Sequence, residues 1–246
     1  MFRRQAPNTP SPQVACVIGA GISGSSTARA LAECGWHVTV IDSGHFGASS
    51  LPLGLISPHT SKDDGALSQL SRIGMERMHV AMRTYLMEGV DWAPSGVTTY
   101  PRTGPVSDVN TNWHPDAAWI KPSALTRALL EHPNIQVVHE TFVDGLRFAS
   151  DTNSWQVLHS GDCLTQAPQV VLAAGPGCID LCNLKTVTPN PLQGTMPPPF
   201  DAIRGQVSWG LMAHTPNAPL PPNPINGRGS FVPRVTTPEG EAWFLG

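Results

Sequence analysis

The apolar and polar positions of this chain change period several times, and each change predicts an element. Residues 14–18, "VACVI", are apolar without alternation and rich in β-branched side chains, the pattern of a short strand covered on both faces. The next segment, "SGSSTARALAECG", sets Ala28, Leu31 and Ala32 at helical spacing and reaches Gly35, a suitable stop. A second short apolar run, "HVTVID", predicts a second strand. Farther on, Leu67, Leu70, Ile73, Met78 and Ala81 recur near the helical period and predict an amphipathic helix whose methionines read as ordinary core. "VTTYP" is a short strand, "SALTRALLE" a helix capped by Ser123, and "IQVVHETFVDGLRF" alternates as strands. Residues 169–177, "QVVLAAGPG", form another buried strand that ends in small residues.

Strand, helix and strand at the start, with more strands later, make an α/β chain. With 246 residues, 40% of them hydrophobic and 13% charged, it can bury a sizeable core in one large or two small domains. Its 23 glycines and 25 prolines cluster late, in "PNPLQGTMPPPF" and "HTPNAPLPPNPINGRG", where long surface loops are expected. A formal net charge of -3 and a pI near 6.3 create no overall field that gathers nucleic acid, so any polyanion must be met locally. Five cysteines without regular spacing make no disulfide framework, and no apolar run approaches the roughly 20 residues that span a bilayer. The opening "MFRRQAPNTPSPQ" lacks the apolar stretch of a signal peptide and reads as a disordered lead-in, residues 1–12, or a linker. Together these features predict a reduced, soluble, cytoplasmic protein with no membrane partner.

The junction of the first strand and helix, "GAGISG", carries the first chemistry. Gly19 permits the tight turn out of the strand, Gly21 lets backbone approach a pyrophosphate, and Gly24 lets the helix pack on the strand. The first amides of the helix then offer partial positive charge to a phosphate. Asp42 closes the second strand about 20 residues after the turn, where a carboxylate accepts hydrogen bonds from both ribose hydroxyls and disfavours a 2′-phosphate. Glycines, helix, strand and terminal acid in one register predict a dinucleotide site, which alone leaves nicotinamide and flavin cofactors both open. Ala173, Ala174 and Gly175 let a later strand end approach that cofactor closely.

The stretch that follows, "HFGASSLPLGLISPHTSKDDGALSQLSRIG", resembles the FAD-dependent amino-acid oxidase family typified by glycine oxidase and D-amino-acid oxidase. In that family a small Ala-Ser segment after the ribose acid lines the pyrophosphate and flavin. Ala48, Ser49, Ser50 and Gly54 occupy those places here, and Ser43 and Leu55 join them among the implied cofactor contacts. The resemblance is closer to one branch, the oxidase domains of bifunctional bacterial enzymes that modify the wobble uridine of tRNA to methylaminomethyl-thiouridine. Its marks are "ASSLPLGLISP", Asp63 and Asp64, "ALSQLSRIGMERM", and Trp119, Ile120, Pro122 and Leu125 in "HPDAAWIKPSALTRALL". "IRGQVSW" and "GRGSFVPR" resemble its later strands, so the likeness spans residues 14–246. It implies FAD as cofactor and a glutathione-reductase-like architecture. A Rossmann-like FAD-binding domain is expected from residues 13–84 and 118–183, and a β-rich substrate domain from 85–117 and 184–246. It also implies backbone contact with adenine near Val143.

A flavin brings its own redox chemistry, so few catalytic side chains are expected. The resemblance implies hydride transfer from the carbon beside a neutral amine to the flavin, hydrolysis of the resulting imine, and reoxidation by O2. In the tRNA branch the amine belongs to carboxymethylaminomethyl-uridine and glyoxylate leaves; tRNA and a methyltransferase domain or polypeptide are the implied partners. A small free amino acid such as glycine or sarcosine is the alternative substrate. Arg204 and Gln206 in "RGQ" are candidates for the substrate side, and each reads equally well as a surface residue, as does Arg234. Nine histidines stand singly, so no metal-ligand set is expected. Cys178 and Cys182 read as buried thiols rather than a redox pair. Two departures from the family pattern bear on activity. Leu51 stands where the family has Asn, and "EAWFLG" reads as the middle of a strand, without the later substrate arginines and last flavin contact of the family. A third reading is therefore an incomplete, non-catalytic form that keeps nucleotide binding.

Overall fold

The computed structural model describes residues 13–45, 47–61, 63–101, 111–183, 202–215 and 219–246. The lead-in over residues 1–12 and the proline-rich "PNPLQGTMPPPF" lie outside the described residues. The chain divides into two compact units, one of residues 1–45 and 129–202 and the other of 46–128 and 203–246.

The first stretch holds β1 (Val14–Ile18), α1 (Ile22–Glu33) and β2 (His37–Ile41). The second holds β3 (Gly54–Ile56), α2 (Ala66–Tyr85), β4 (Trp92–Pro94), β5 (Val97–Thr99), β6 (Asn112–His114) and β7 (Ala118–Ile120), and α3 (Pro122–Leu130) runs out of it. The third holds β8 (Ile135–Val138), β9 (Gly145–Ala149), β10 (Ser154–His159), β11 (Asp162–Ala167), β12 (Gln169–Leu172) and α4 (Gly177–Asn183). β13 (Ser208–Leu211), β14 (Ile225–Asn226), β15 (Phe231–Thr237) and β16 (Gly240–Leu245) complete the order.

In the first unit β12, β1, β2 and β8 form a parallel sheet in that order. Ala15, Cys16 and Val17 of β1 are wholly buried, which is why the strand reads as an apolar run without alternation. Ala28 and Ala32 of α1 pack with Val17, Val38 and Val40, their small side chains bringing the helix close to the sheet. α1 ends as Gly35 indicated: at φ +87 it donates to the carbonyl of Ala32 at 2.9 Å while Trp36 donates to that of Leu31 at 3.1 Å. This is the paired closure of a Schellman motif. β9, β10 and β11 make an antiparallel meander in the same unit.

The second unit contains a six-stranded sheet, ordered β13-β16-β15-β14-β5-β6, and a three-stranded one, β3-β7-β4. Leu53, Trp119, Val232, Val235, Ala242 and Phe244 form its core cluster. Two local expectations change here. α3 starts at Pro122, one residue before the expected cap, because proline loses nothing in a first turn whose N–H has no helical partner. Ser123 therefore lies inside the helix. α2 forms as expected, but Leu67, Leu70 and Ile73 are 63%, 65% and 54% exposed, while Ser68 and Met82 are buried. Polar anchors explain the rotation: Ser71 Oγ accepts the His59 N–H at 2.8 Å, Ser61 and Ser68 hydroxyls meet at 2.9 Å, and Arg72 grips Asp64 through two bonds of 2.6 and 2.9 Å.

Candidate functional site

The glycine turn is shaped by backbone meeting backbone. Gly19 leaves β1 at φ +104 and donates its N–H to the Ile41 carbonyl at 2.8 Å. A Cβ on Gly19 would lie 2.4 Å from the carbonyl oxygen of Ala173, and one on Gly24 would lie 1.8 Å from that of Gly19. Neither position admits a side chain. Gly21 opens α1 with no side-chain cap, and the first turn of the helix carries no acid. Its positive end is thus left for an anion.

β12 brings its small residues to the same place. Ala173 donates to the Ile18 carbonyl at 2.8 Å, and Gly175, at φ +58, turns the chain toward α4. A recess of about 370 Å³ lies here, lined in part by Ser23, Ala173, Gly175, Pro176 and Cys178. Gly19, Gly24, Ala173 and Ala174 therefore meet at one junction, Gly21 follows in the same turn, and Ala173 and Gly175 carry it into the recess.

Asp42 joins the glycine turn through an unexpected contact. Its Oδ2 accepts the N–H of Ala20 at 2.7 Å, inside the glycine turn, and its Oδ1 accepts that of Gly44 at 2.9 Å. One carboxylate thus ties the end of β2 to the turn, with lone pairs remaining for two ribose hydroxyls. Ser43 Oγ accepts the His45 N–H at 3.4 Å. The His45 ring meets Phe142 edge to face, with centroids 6.4 Å apart and planes at 82°. Sequence reasoning missed both the Ala20 donor and this ring pair. A backbone N–H leaves no trace in side-chain pattern, and the two rings are far apart in sequence. Val143 is buried among Cys16, Ile18 and Ile41, so its backbone is the part suited to a ligand. The turn with no room for a Cβ at Gly19 or Gly24, the uncapped helix start and the anchored acid fit a dinucleotide.

The remaining candidates lie in the second unit. Ala48–Ser50 make a single 3-10 turn, and Gly54 and Leu55 pair with Ile120 and Trp119 across β3 and β7. Arg204 and Gln206 are exposed ahead of β13, with no hydrogen-bond partner among the described residues. Arg234 pairs with Glu241 at 3.2 Å on the surface. All five cysteines are free thiols. Burial pushes Cys16 up to about 12 and raises Cys178 as well, while Cys182 is half-buried. Among the described residues no three His, Cys, Asp or Glu side chains gather as a metal site, and no helix is long and apolar enough to cross a membrane.

Residues 15–113 match the family described as FAD dependent oxidoreductase. The tRNA 5-methylaminomethyl-2-thiouridine biosynthesis bifunctional protein of Albidiferax ferrireducens is 41% identical over 249 residues, covering 94% of this chain and 39% of the relative. Its namesake from Polaromonas naphthalenivorans is 36% identical over 281 residues, covering 99% and 43%. The chain thus spans about two fifths of the length of these relatives. In three dimensions it resembles glycine oxidase from Bacillus cereus, with a TM-score of 0.65 and 18% identity over 96% of this chain and 70% of that one, a likeness of fold. The glycine turn, its acid and these matches lead to one assignment: the chain carries a domain of the FAD-dependent oxidoreductase family.

Proposed function

We propose that this chain is the FAD-dependent oxidase part of a tRNA-modifying enzyme and oxidises the secondary amine C–N bond of carboxymethylaminomethyl-uridine. The observation that carries the reading is the 41% identity to the thiouridine-biosynthesis relative across 94% of this chain, in a sequence that keeps every glycine of the cofactor turn. The FAD-binding domain is assigned to residues 13–84 and 118–183 and the substrate domain to 85–117 and 184–246.

Each residue then has a task. Gly19, Gly21 and Gly24 bring backbone up to the pyrophosphate, and the free end of α1 faces its charge. Asp42 accepts from the ribose, and the backbone at Val143 meets the adenine. Ala173, Ala174 and Gly175 close one wall without crowding it. Ser43, Ala48, Ser49, Ser50, Gly54 and Leu55 hold the flavin side. FAD supplies a hydride acceptor for the carbon beside a neutral amine. Arg204 offers its guanidinium, exposed and without a partner among the described residues, to the substrate's carboxylate, and Gln206 orients the amine. The partners are tRNA and a methyltransferase domain or polypeptide, and the compartment is the cytoplasm.

Turnover decides between substrates. The chain, loaded with FAD, is incubated with tRNA bearing carboxymethylaminomethyl-uridine and, separately, with glycine and sarcosine. Glyoxylate release and loss of the carboxymethyl mass from the tRNA nucleoside are the expected result. Turnover of glycine or sarcosine with unchanged tRNA would replace this reading with that of a free amino-acid oxidase.

A further inference from the structure

A cavity of about 500 Å³ in the second unit lies against one face of α2 and is unused by the proposed reaction. Its other walls are the loop at Pro58 and Thr60 and the turn at His114–Asp116. Both are pinned to the helix. The loop is held by the Ser71 and Ser68 hydroxyls and by the Arg72–Asp64 pair, and the turn by a His79 Nε2 hydrogen bond of 2.7 Å to the Asp116 carbonyl. The walls are therefore set before any ligand arrives, which lowers the ordering cost of binding.

The charges facing this cavity are of both signs and unspent. Glu76, Asp116 and Arg83 line it, and none of the three side chains has an ion-pair partner among the described residues. Glu76 and Arg83 stand two helical turns apart, about 10 Å along the axis, with Val80 between them and Met75 alongside. His79 Nδ1 on the helix and His114 Nε2 on the turn are buried without a hydrogen-bond partner among the described residues. A simple anion would meet Glu76 and Asp116, a simple cation would meet Arg83 and Arg72, and an apolar molecule would desolvate all four. We infer that this cavity binds an elongated zwitterion, its ammonium on Glu76 and Asp116, its carboxylate on Arg83, and its aliphatic spacer along Met75 and Val80.

The inference stands apart from the flavin chemistry, and its test needs no turnover. The full chain is titrated at low ionic strength with 6-aminohexanoate, and separately with hexanoate and hexylamine, by calorimetry. The zwitterion is expected to bind at least tenfold more tightly than either singly charged analogue. Glu76→Gln and Arg83→Gln are each expected to lose at least tenfold, with the thermal melt and any flavin spectrum unchanged. Equal binding of the three probes, no binding at millimolar probe, or undiminished binding in both variants would overturn it. A protein that takes up no FAD contradicts the oxidase reading and leaves this result readable.

Discussion

Single glycines differ sharply in what they do. A Cβ on Gly24 would lie 1.8 Å from the Gly19 carbonyl oxygen, whereas one on Gly35, at φ +87, would meet nothing within 4 Å. Gly35→Ala is expected to cost about 1 kcal/mol, the left-handed penalty alone, and to leave FAD retention intact. Gly24→Ala must move α1 off the turn, with an expected cost of roughly 3 kcal/mol and loss of the flavin on desalting. Melts and absorption spectra of the two variants check this contrast. Asp64 gives a pH dependence. Its hydrogen bonds from Arg72 hold the carboxyl below the usual range in the folded protein. A depressed folded value means that the unfolded chain takes up the proton first as pH falls. The contribution is present at neutral pH and is lost as pH drops through the ordinary carboxylate range toward the folded value. Asp64→Asn keeps a residue tolerant of the φ of +46 found there. Its acid unfolding limb is expected to be less steep than wild type; an identical limb would show that the pair does not report on folding.

Among the elements, α2 separates pattern from packing. Leu70 is 65% exposed and Met82 wholly buried on the same helix. Leu70→Gln is expected within about 0.5 kcal/mol of wild type, and Met82→Ala to lose about 2–5 kcal/mol, measured by urea unfolding. The reverse order would restore the leucine stripe as the core face. β1, β2, β12, α1 and the glycine turn were legible because local steric rules dictate them: β1 reads as buried, Gly19 and Gly24 admit no side chain, and Gly35 closes the helix. The buried face of α2 was not legible, because polar contacts of its own Ser68, Ser71 and Arg72 with the preceding loop, rather than leucines, fix its rotation. The cavity beside it was hidden for a related reason. Its walls come from three separated segments, joined by contacts such as His79 to Asp116 that follow no period.

On the scale of the whole molecule, each compact unit draws on two separated stretches of chain, so each depends on pairings distant in sequence, as β1 with β12 or β5 with β14. The net charge of -3 gives no general attraction for tRNA, and the proposed contact must be local. The central claim is that the turn at Gly19, Gly21 and Gly24, with Asp42, holds FAD. The visible absorption spectrum of the purified full chain, taken before FAD addition and again after loading and desalting, tests it most directly. A retained flavin spectrum is expected in wild type and none in Gly24→Ala. A folded wild-type protein that stays colourless after loading would contradict it.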